Sequence, residues 1–195
     1  MNFFTADTHF LNERILLREN RPFHNSNEFK DYTLKLWNNQ VSSNDTIYCL
    51  GDWLNYAKGD TESWKSSIKL PVHLKCPIIL IIGNNEERVI FNEFNNSFNR
   101  FRTHAINSGF KDVFQEKYLT MRLKTFYLNH YPRNHKGNCI NLFGHTHRGT
   151  GLFKPYGLNV GCDLNHFQLF SETEIFRLLQ EKENCCDSDV DILSF

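Results

Sequence analysis

The sequence predicts an α/β fold that contains a partly parallel sheet. Three apolar segments between residues 2 and 82 each end at a glycine or an acidic residue, and helix-forming or polar stretches separate them. In the second half, short segments with the composition of strands follow one another from Val113 onward. Alternating strands and helices are typical of parallel βαβ units, whereas the second half favours a region rich in β-structure.

The elements of the first half follow from local signals. Residues 2–6 form a short apolar segment that stops at an acidic residue, which is typical of a buried strand. A helix is predicted over residues 26–39, with Ser26 as its capping residue and Glu28 in its first turn. The second and third strands are predicted over residues 46–50 and 77–82, and they end in Gly51-Asp52 and Gly83-Asn84.

The second half is predicted to contain more strands than helices. Residues 113–128 are β-rich, with a turn near Tyr118, and short strands are expected over 139–143 and 158–160. A closing helix is predicted from Ser171, its cap, to about Glu183, with Glu174 at the capping-box position. We therefore expect one domain over residues 1–183 and an acidic, flexible tail over residues 184–195.

Composition excludes several classes of protein. The chain has 195 residues, 40% of them hydrophobic, and zero formal charge, which is typical of one soluble globular domain. No apolar run approaches the ~18 residues of a membrane span. The N-terminus lacks the basic and apolar regions of a secretory signal, which predicts a cytoplasmic protein. The six cysteines lack CxxC spacing, so we expect unpaired thiols.

Seven polar side chains form a candidate metal site. Imidazoles, carboxylates and an amide oxygen suit first-row divalent ions, and seven ligands are too many for one tetrahedral site. The set therefore predicts two ions, with Asp52 as the candidate for a bridging carboxylate. Two ions ~3.5–4 Å apart clamp the attacking and leaving oxygens of a phosphoryl displacement. The seven candidate ligands are Asp7, His9, Asp52, Asn84, His130, His145 and His147.

The same residues resemble the motifs of the calcineurin-like metallophosphoesterase superfamily. The resemblance is carried by the series Asp7-x-His9, Gly51-Asp52, Gly83-Asn84, His130 and Gly144-His145-Thr146-His147, which spans most of the chain. The segments DTHF (7–10), RPF (21–23), HYP (130–132) and NVGCD (159–163) are similar to a group of small single-domain phosphoesterases of bacteria and phages. The resemblance implies a four-layer α/β/β/α sandwich with the metal site at the ends of its strands.

The resemblance also implies a division of the ligands and a mechanism. It assigns Asp7, His9, Asp52 and His147 to one ion, and Asp52, Asn84, His130 and His145 to the other. Manganese is the expected metal, with iron, nickel or zinc as alternatives. Hydroxide bound to the ions would attack phosphorus, and the ions would offset charge on the phosphoryl oxygens.

Two positions depart from the pattern of the family. Asn85 stands where the family usually has a histidine that protonates the leaving group, and an amide has no titratable proton near neutral pH. Three explanations stay open: another group replaces it, the leaving group needs little protonation, or activity is low. The candidate replacements are His24, His104, His135 and Glu86.

Arg14 follows the DTHF segment where related proteins have a G-H-x-N segment, and it is either a phosphate clamp or an ordinary surface arginine.

These observations predict a phosphodiesterase that acts on a nucleotide, a cyclic nucleotide or a nucleic-acid end. Asn85 favours activated diesters over simple alkyl monoesters, and a phosphomonoesterase or a nuclease remains an alternative. A basic middle segment, residues 88–136, could attract anions, but zero net charge argues against a long nucleic acid as partner. A catalytically weak or inactive scaffold, as in the retromer subunit of this architecture, is the other alternative.

Overall fold

The computed structural model describes residues 1–56, 62–149 and 151–188, with side chains described as far as residue 182. Four parallel strands form most of the first sheet: β1 (Asn2–Thr5), β2 (Thr46–Leu50), β3 (Ile78–Ile81) and β4 (Asp112–Phe114). A short strand, β10 (Phe170–Ser171), pairs antiparallel with β1 at the edge. The strand order is β10-β1-β2-β3-β4.

The second sheet is also five-stranded and mixed. Its strands are β5 (Lys117–Met121), β6 (Lys124–Leu128), β7 (Ile140–Phe143), β8 (Phe153–Lys154) and β9 (Gly157–Asn159), in the order β5-β6-β7-β9-β8. The three central strands β6, β7 and β9 are parallel, and the outer strands pair antiparallel with them. Both sheets therefore have a parallel centre.

Six α-helices accompany the sheets in the described part of the chain: α1 (Glu13–Arg18), α2 (Ser26–Gln40), α3 (Glu62–Ser67), α4 (Asn84–Glu93), α5 (Phe98–Asn107) and α6 (Glu172–Ser188). Single 3-10 turns lie at Leu70–His73, Pro132–Asn134 and Cys162–Leu164. None of the described helices combines the length and the apolar character that a bilayer crossing requires.

The alternation of side chains along the strands of the first sheet divides the core in two. In β2, Ile47 and Cys49 pack with the helices, whereas Tyr48 and Leu50 pack against the second sheet. β3 repeats this pattern, because successive side chains of a strand point to opposite faces. The first sheet is thus buried on both faces, and its internal strand β3, Ile78–Ile81, is apolar along its whole length. The predicted α/β class and the sandwich of two mixed sheets with helices are confirmed.

Several element boundaries differ from the sequence prediction. Ser26 is the first residue of α2, and Asn25 is its cap, with a side chain that accepts the N–H of Glu28. Ser171 caps α6 as predicted, since its hydroxyl accepts the N–H of Glu174 at 3.1 Å. That helix continues to Ser188, beyond the predicted end near Glu183. The rest of the predicted tail, residues 189–195, lies outside the described residues.

The carboxylate of Glu86 joins the loops that follow β2 and β3. It is fully buried and accepts the backbone N–H groups of Asp52, Leu54 and Gly83 at 2.8–2.9 Å. Burial, and then the charge of Asp52, raise its pKa to about 7. Glu86 was one candidate for the general acid that Asn85 cannot supply. In the structure both of its carboxylate oxygens accept hydrogen bonds from backbone N–H groups.

We predict that Glu86→Gln destabilises the fold by about 2–4 kcal/mol. The amide retains only one oxygen and turns an N–H₂ group toward backbone donors, which leaves buried N–H groups without acceptors. Thermal and urea unfolding measure the change. Glu62→Gln, on an exposed side chain of α3, is the matched control. Equal stability of the two variants would contradict the structural role of Glu86.

Candidate metal centre

The candidate ligands lie where parallel strands of both sheets end. Asp7, Asp52 and Asn84 come two or three residues after β1, β2 and β3. His130 and His145 follow β6 and β7 in the same way. Because the carboxyl ends of parallel strands meet at one edge of a sheet, and the two sheets pack face to face, these side chains converge.

Three of the candidates form a compact cluster, which we call the Asn84 cluster: Asn84, His130 and His145. The Asn84 Oδ1 atom lies 3.0 Å from His145 Nδ1 and 3.2 Å from His130 Nε2, and the two imidazole nitrogens are 3.2 Å apart. Ligands bound to one ion at ~2.1 Å are expected about 3.0–3.4 Å from one another. The His130 Nδ1 atom contacts the carbonyl of Leu50 at 2.7 Å, so its proton lies there and Nε2 has a free lone pair.

A second group, the His147 cluster, contains Asp7, His9 and His147. The Nε2 atoms of the two histidines are 3.3 Å apart, their rings are stacked, and one ligand atom from each of the three residues lies within 4.8 Å of the others. The Nδ1 atom of His147 donates to Asp163 at 2.8 Å, so Nε2 is the atom that would bind an ion, and the Arg18 guanidinium lies 3.1 Å from it. The spacing again fits atoms that share one ion.

Asp52 lies between the two clusters. Its Oδ2 atom is 3.4 Å from His9 Nε2, and its Oδ1 atom is 3.7 Å from His130 Nε2. Asn85 holds both oxygens: its backbone N–H donates to Oδ1 at 2.9 Å and its side-chain amide donates to Oδ2 at 2.7 Å. Burial opposes ionisation, but His9, His130 and these hydrogen bonds outweigh it and lower the pKa of Asp52. One carboxylate oxygen thus faces each cluster.

Burial sets the protonation of two further candidates. It lowers the pKa of His9 to about 3, so the imidazole is neutral at pH 7, the form that binds metal ions. Burial also raises the pKa of Asp7, whose carboxylate accepts the backbone N–H of His145 at 2.9 Å. Among the described residues no Lys or Arg side chain contacts the oxygens of this fully buried carboxylate, which suits a cation, and the donor chemistry therefore fits divalent ions.

Five of the seven candidates have a left-handed backbone, with φ between 46° and 73°: Asp7, His9, Asp52, His145 and His147. Positive φ is uncommon outside glycine and costs about 1–3 kcal/mol for each such residue, so its concentration here marks a functional site. The neighbouring glycines leave room for the ligands. A Cβ atom on Gly83 would lie 2.5 Å from Asp52 Oδ1, and one on Gly144 would lie 2.7 Å from Asp7 Oδ2.

Comparison with known proteins identifies the family of the chain. The model of the family described as calcineurin-like phosphoesterase matches residues 3–185. The chain belongs to the calcineurin-like phosphoesterase family. The structure is similar to a protein of unknown function from Aquifex aeolicus, with a TM-score of 0.66 and 20% identity over 91% of this chain and 98% of that one. This likeness shows a shared fold.

Two further relatives are more distant or partial. An uncharacterized protein of Methanocaldococcus jannaschii is 34% identical over 85 residues, which is 44% of this chain and 46% of that protein. The chain therefore matches about half the length of this curated relative. A phosphoesterase from E. coli, YfcE, aligns at a TM-score of 0.39 and 15% identity over 82% of this chain and 77% of that chain.

A buried ion pair between Arg21 and Asp163 contacts the His147 cluster. No role was assigned to this pair from the sequence. Arg21 donates two hydrogen bonds to Asp163, each 2.8 Å long, and neither side chain is exposed. Arg21 also donates to the backbone carbonyls of Asp7 and Thr8 at 2.7 Å. The same Asp163 carboxylate holds His147. The RPF and NVGCD segments of this chain contain the pair, and they were the only signals for it.

The structure also places the candidates for catalytic roles. A cavity of about 770 Å³ opens over the ligands, and Arg14 and Asn85 both line it. The Asn85 amide contacts His9 Nδ1 at 3.3 Å as well as Asp52, so it orients ligands. None of the alternative acids is among the described residues that line the cavity: His24, Glu86, His104 and His135. His104 packs against Trp64, and His135 stacks on Tyr156.

We predict that Asp163→Asn weakens binding of Mn²⁺ by about 10–100-fold, because the carboxylate that orients His147 is lost. Titration calorimetry with Mn²⁺ measures the affinity, and thermal unfolding confirms that the variant is folded. Asp31→Asn, at an exposed carboxylate on α2, is the matched control. A folded Asp163→Asn protein with wild-type affinity for Mn²⁺ would contradict this role.

Proposed function

We propose that this protein is a phosphodiesterase that requires two divalent ions and acts on small nucleotide-type diesters. Asp7, His9, Asp52 and His147 would hold one ion, and Asp52, Asn84, His130 and His145 would hold the other, with Mn²⁺ as the preferred metal. The position of Asp52 carries the proposal, since one of its oxygens faces each cluster. Metal-dependent phosphoester hydrolysis is the chemistry of the family.

The residues of the cavity suit a phosphorylated substrate. A pair of bound divalent ions lowers the pKa of a coordinated water and offsets charge on phosphoryl oxygens. The side chains Arg14, Arg18 and Arg88 also line the cavity and supply guanidinium groups, which bind phosphate oxygens through paired N–H donors. Large apolar side chains are scarce among the described lining residues, so the cavity favours a polar substrate over a lipid.

The environment of Asn85 supports a preference for diesters with good leaving groups. Its N–H₂ group donates to Asp52 and lies 3.3 Å from His9 Nδ1, and its carbonyl oxygen lies 3.4 Å from the N–H of Tyr56. It therefore cannot supply the proton that a positioned histidine gives to a leaving oxygen. Aryl esters and strained cyclic nucleotides need that proton less than alkyl monoesters do.

We predict hydrolysis of bis(4-nitrophenyl) phosphate in the presence of Mn²⁺, and loss of about 10²–10³-fold or more of kcat/KM in Asp52→Asn. The amide is neutral and presents one oxygen, so it cannot serve both clusters. Release of 4-nitrophenolate measures the rate, with Asp31→Asn as control. Wild-type protein that binds no Mn²⁺ and hydrolyses no diester would instead support the scaffold alternative.

We also predict that a cyclic nucleotide is hydrolysed at least about 10²-fold faster than an alkyl phosphate monoester, the contribution typical of the missing general acid. Liquid chromatography of the products measures both rates. Asn85→His introduces the histidine that the family usually has at this position and should reduce the ratio of the two rates. Comparable rates on the two substrates in the wild-type protein would contradict the proposed preference for diesters with good leaving groups. Cleavage of long nucleic-acid duplexes would favour the nuclease alternative.

A further inference from the structure

Three arginines line the cavity beside the candidate ligands. Arg14 and Arg18 lie on α1 and Arg88 lies on α4, and all three side chains are exposed to solvent. Arg18 is engaged: it donates to Glu19 at 2.8 Å and lies 3.1 Å from His147 Nε2. The guanidinium groups of Arg14 and Arg88 make no hydrogen bond or ion pair with any described residue.

Each of the two unpaired arginines lies four residues along its helix from a residue that contacts or belongs to one of the clusters. Arg14 precedes Arg18 by four residues on α1, and Arg18 contacts the His147 cluster. Arg88 follows Asn84 by four residues on α4, and Asn84 belongs to the other cluster. Residues four apart lie on one face of a helix, about 6 Å apart along its axis. Arg14 and Arg88 therefore lie on the same cavity as the candidate ligands, each one backbone turn from a residue that contacts or belongs to a cluster.

The charges of the cavity are unbalanced for a simple diester. Two divalent ions would bring four positive charges, and the buried carboxylates of Asp7 and Asp52 offset two of them. A diester and a hydroxide nucleophile would each add one negative charge, which balances the ions and leaves Arg14 and Arg88 unmatched. Glu13 is the remaining carboxylate among the described lining residues, and it accepts the N–H and hydroxyl of Ser26.

We infer that Arg14 and Arg88 form a second anion subsite, which binds a phosphoryl group that is not cleaved. The substrate then carries a second phosphoryl group within the same cavity as the one that is cleaved, as in a nucleoside phosphorylated at both its 3′ and 5′ positions with the diester at one of them. A 5′-phosphorylated nucleic-acid end has the same chemistry. The inference rests on the proposed function, which it narrows to a substrate class.

The experiment uses two substrates that differ in one group: thymidine 3′-(4-nitrophenyl phosphate), with or without a 5′-phosphate. The 5′-phosphate is expected to lower KM of the wild-type protein about 10-fold or more, as charged hydrogen bonds do. In the double variant Arg14→Gln/Arg88→Gln the ratio of the two KM values falls to near one. Arg100→Gln, at an exposed arginine of α5 outside this cavity, retains the wild-type ratio.

A binding measurement separates this inference from the proposed function. Calorimetry in EDTA compares thymidine 3′,5′-bisphosphate with thymidine 3′-phosphate, and tighter binding of the bisphosphate that is lost in the double variant supports the subsite even if no diester is hydrolysed. The inference is overturned if, in the wild-type protein, the 5′-phosphate does not lower KM and the bisphosphate binds no more tightly than the monophosphate. It is also overturned if the double variant keeps the preference.

Discussion

The site depends on backbone hydrogen bonds between the loops that follow β1 and β2. The N–H groups of Asp7, His9 and Phe10 donate in turn to the carbonyls of Gly51, Asp52 and Trp53, at 2.8–3.1 Å. The parallel pairing of the two strands thereby continues past the ends of the regular sheet. It holds three candidate ligands side by side in left-handed conformations that an isolated chain would rarely adopt. Packing of Phe10 and Trp53 in the core supports the same loops.

Local patterns in the sequence were sufficient for the fold class and for the convergence of the ligands. The apolar strands stop at a polar residue, which follows a glycine at Asp52 and Asn84, and the carboxyl ends of parallel strands must meet, so Asp7, Asp52 and Asn84 could be grouped without coordinates. Cap positions were less certain, because Asn25 and Ser26 are both favourable caps and only the backbone selects between them. The family resemblance, rather than spacing, supplied the division into two clusters.

Other features of the site arise from tertiary contacts that no local pattern encodes. Arg21 and Asp163 are separated by 142 residues, and nothing in either segment alone indicates that they form a buried ion pair. Glu86 lies next to the site in sequence, which made it a candidate acid, but helix α4 turns its carboxylate toward backbone N–H groups. Asn85 shows the opposite outcome. The sequence indicated only that this position lacks the general-acid histidine, and in the structure the residue contacts and orients Asp52 and His9.

Burial of the Asp7 carboxylate links ion binding to the stability of the fold. Asp7 is completely buried, and its raised pKa means that the folded chain favours its neutral form more than the unfolded chain does. At neutral pH its ionised form therefore lowers the stability of the ion-free fold, and positive φ angles at five of the candidate ligands add a further cost. Divalent ions that bind the folded state alone offset both costs by mass action. The constraint that makes the site suitable for cations is thus the same one that makes the ion-free fold less stable.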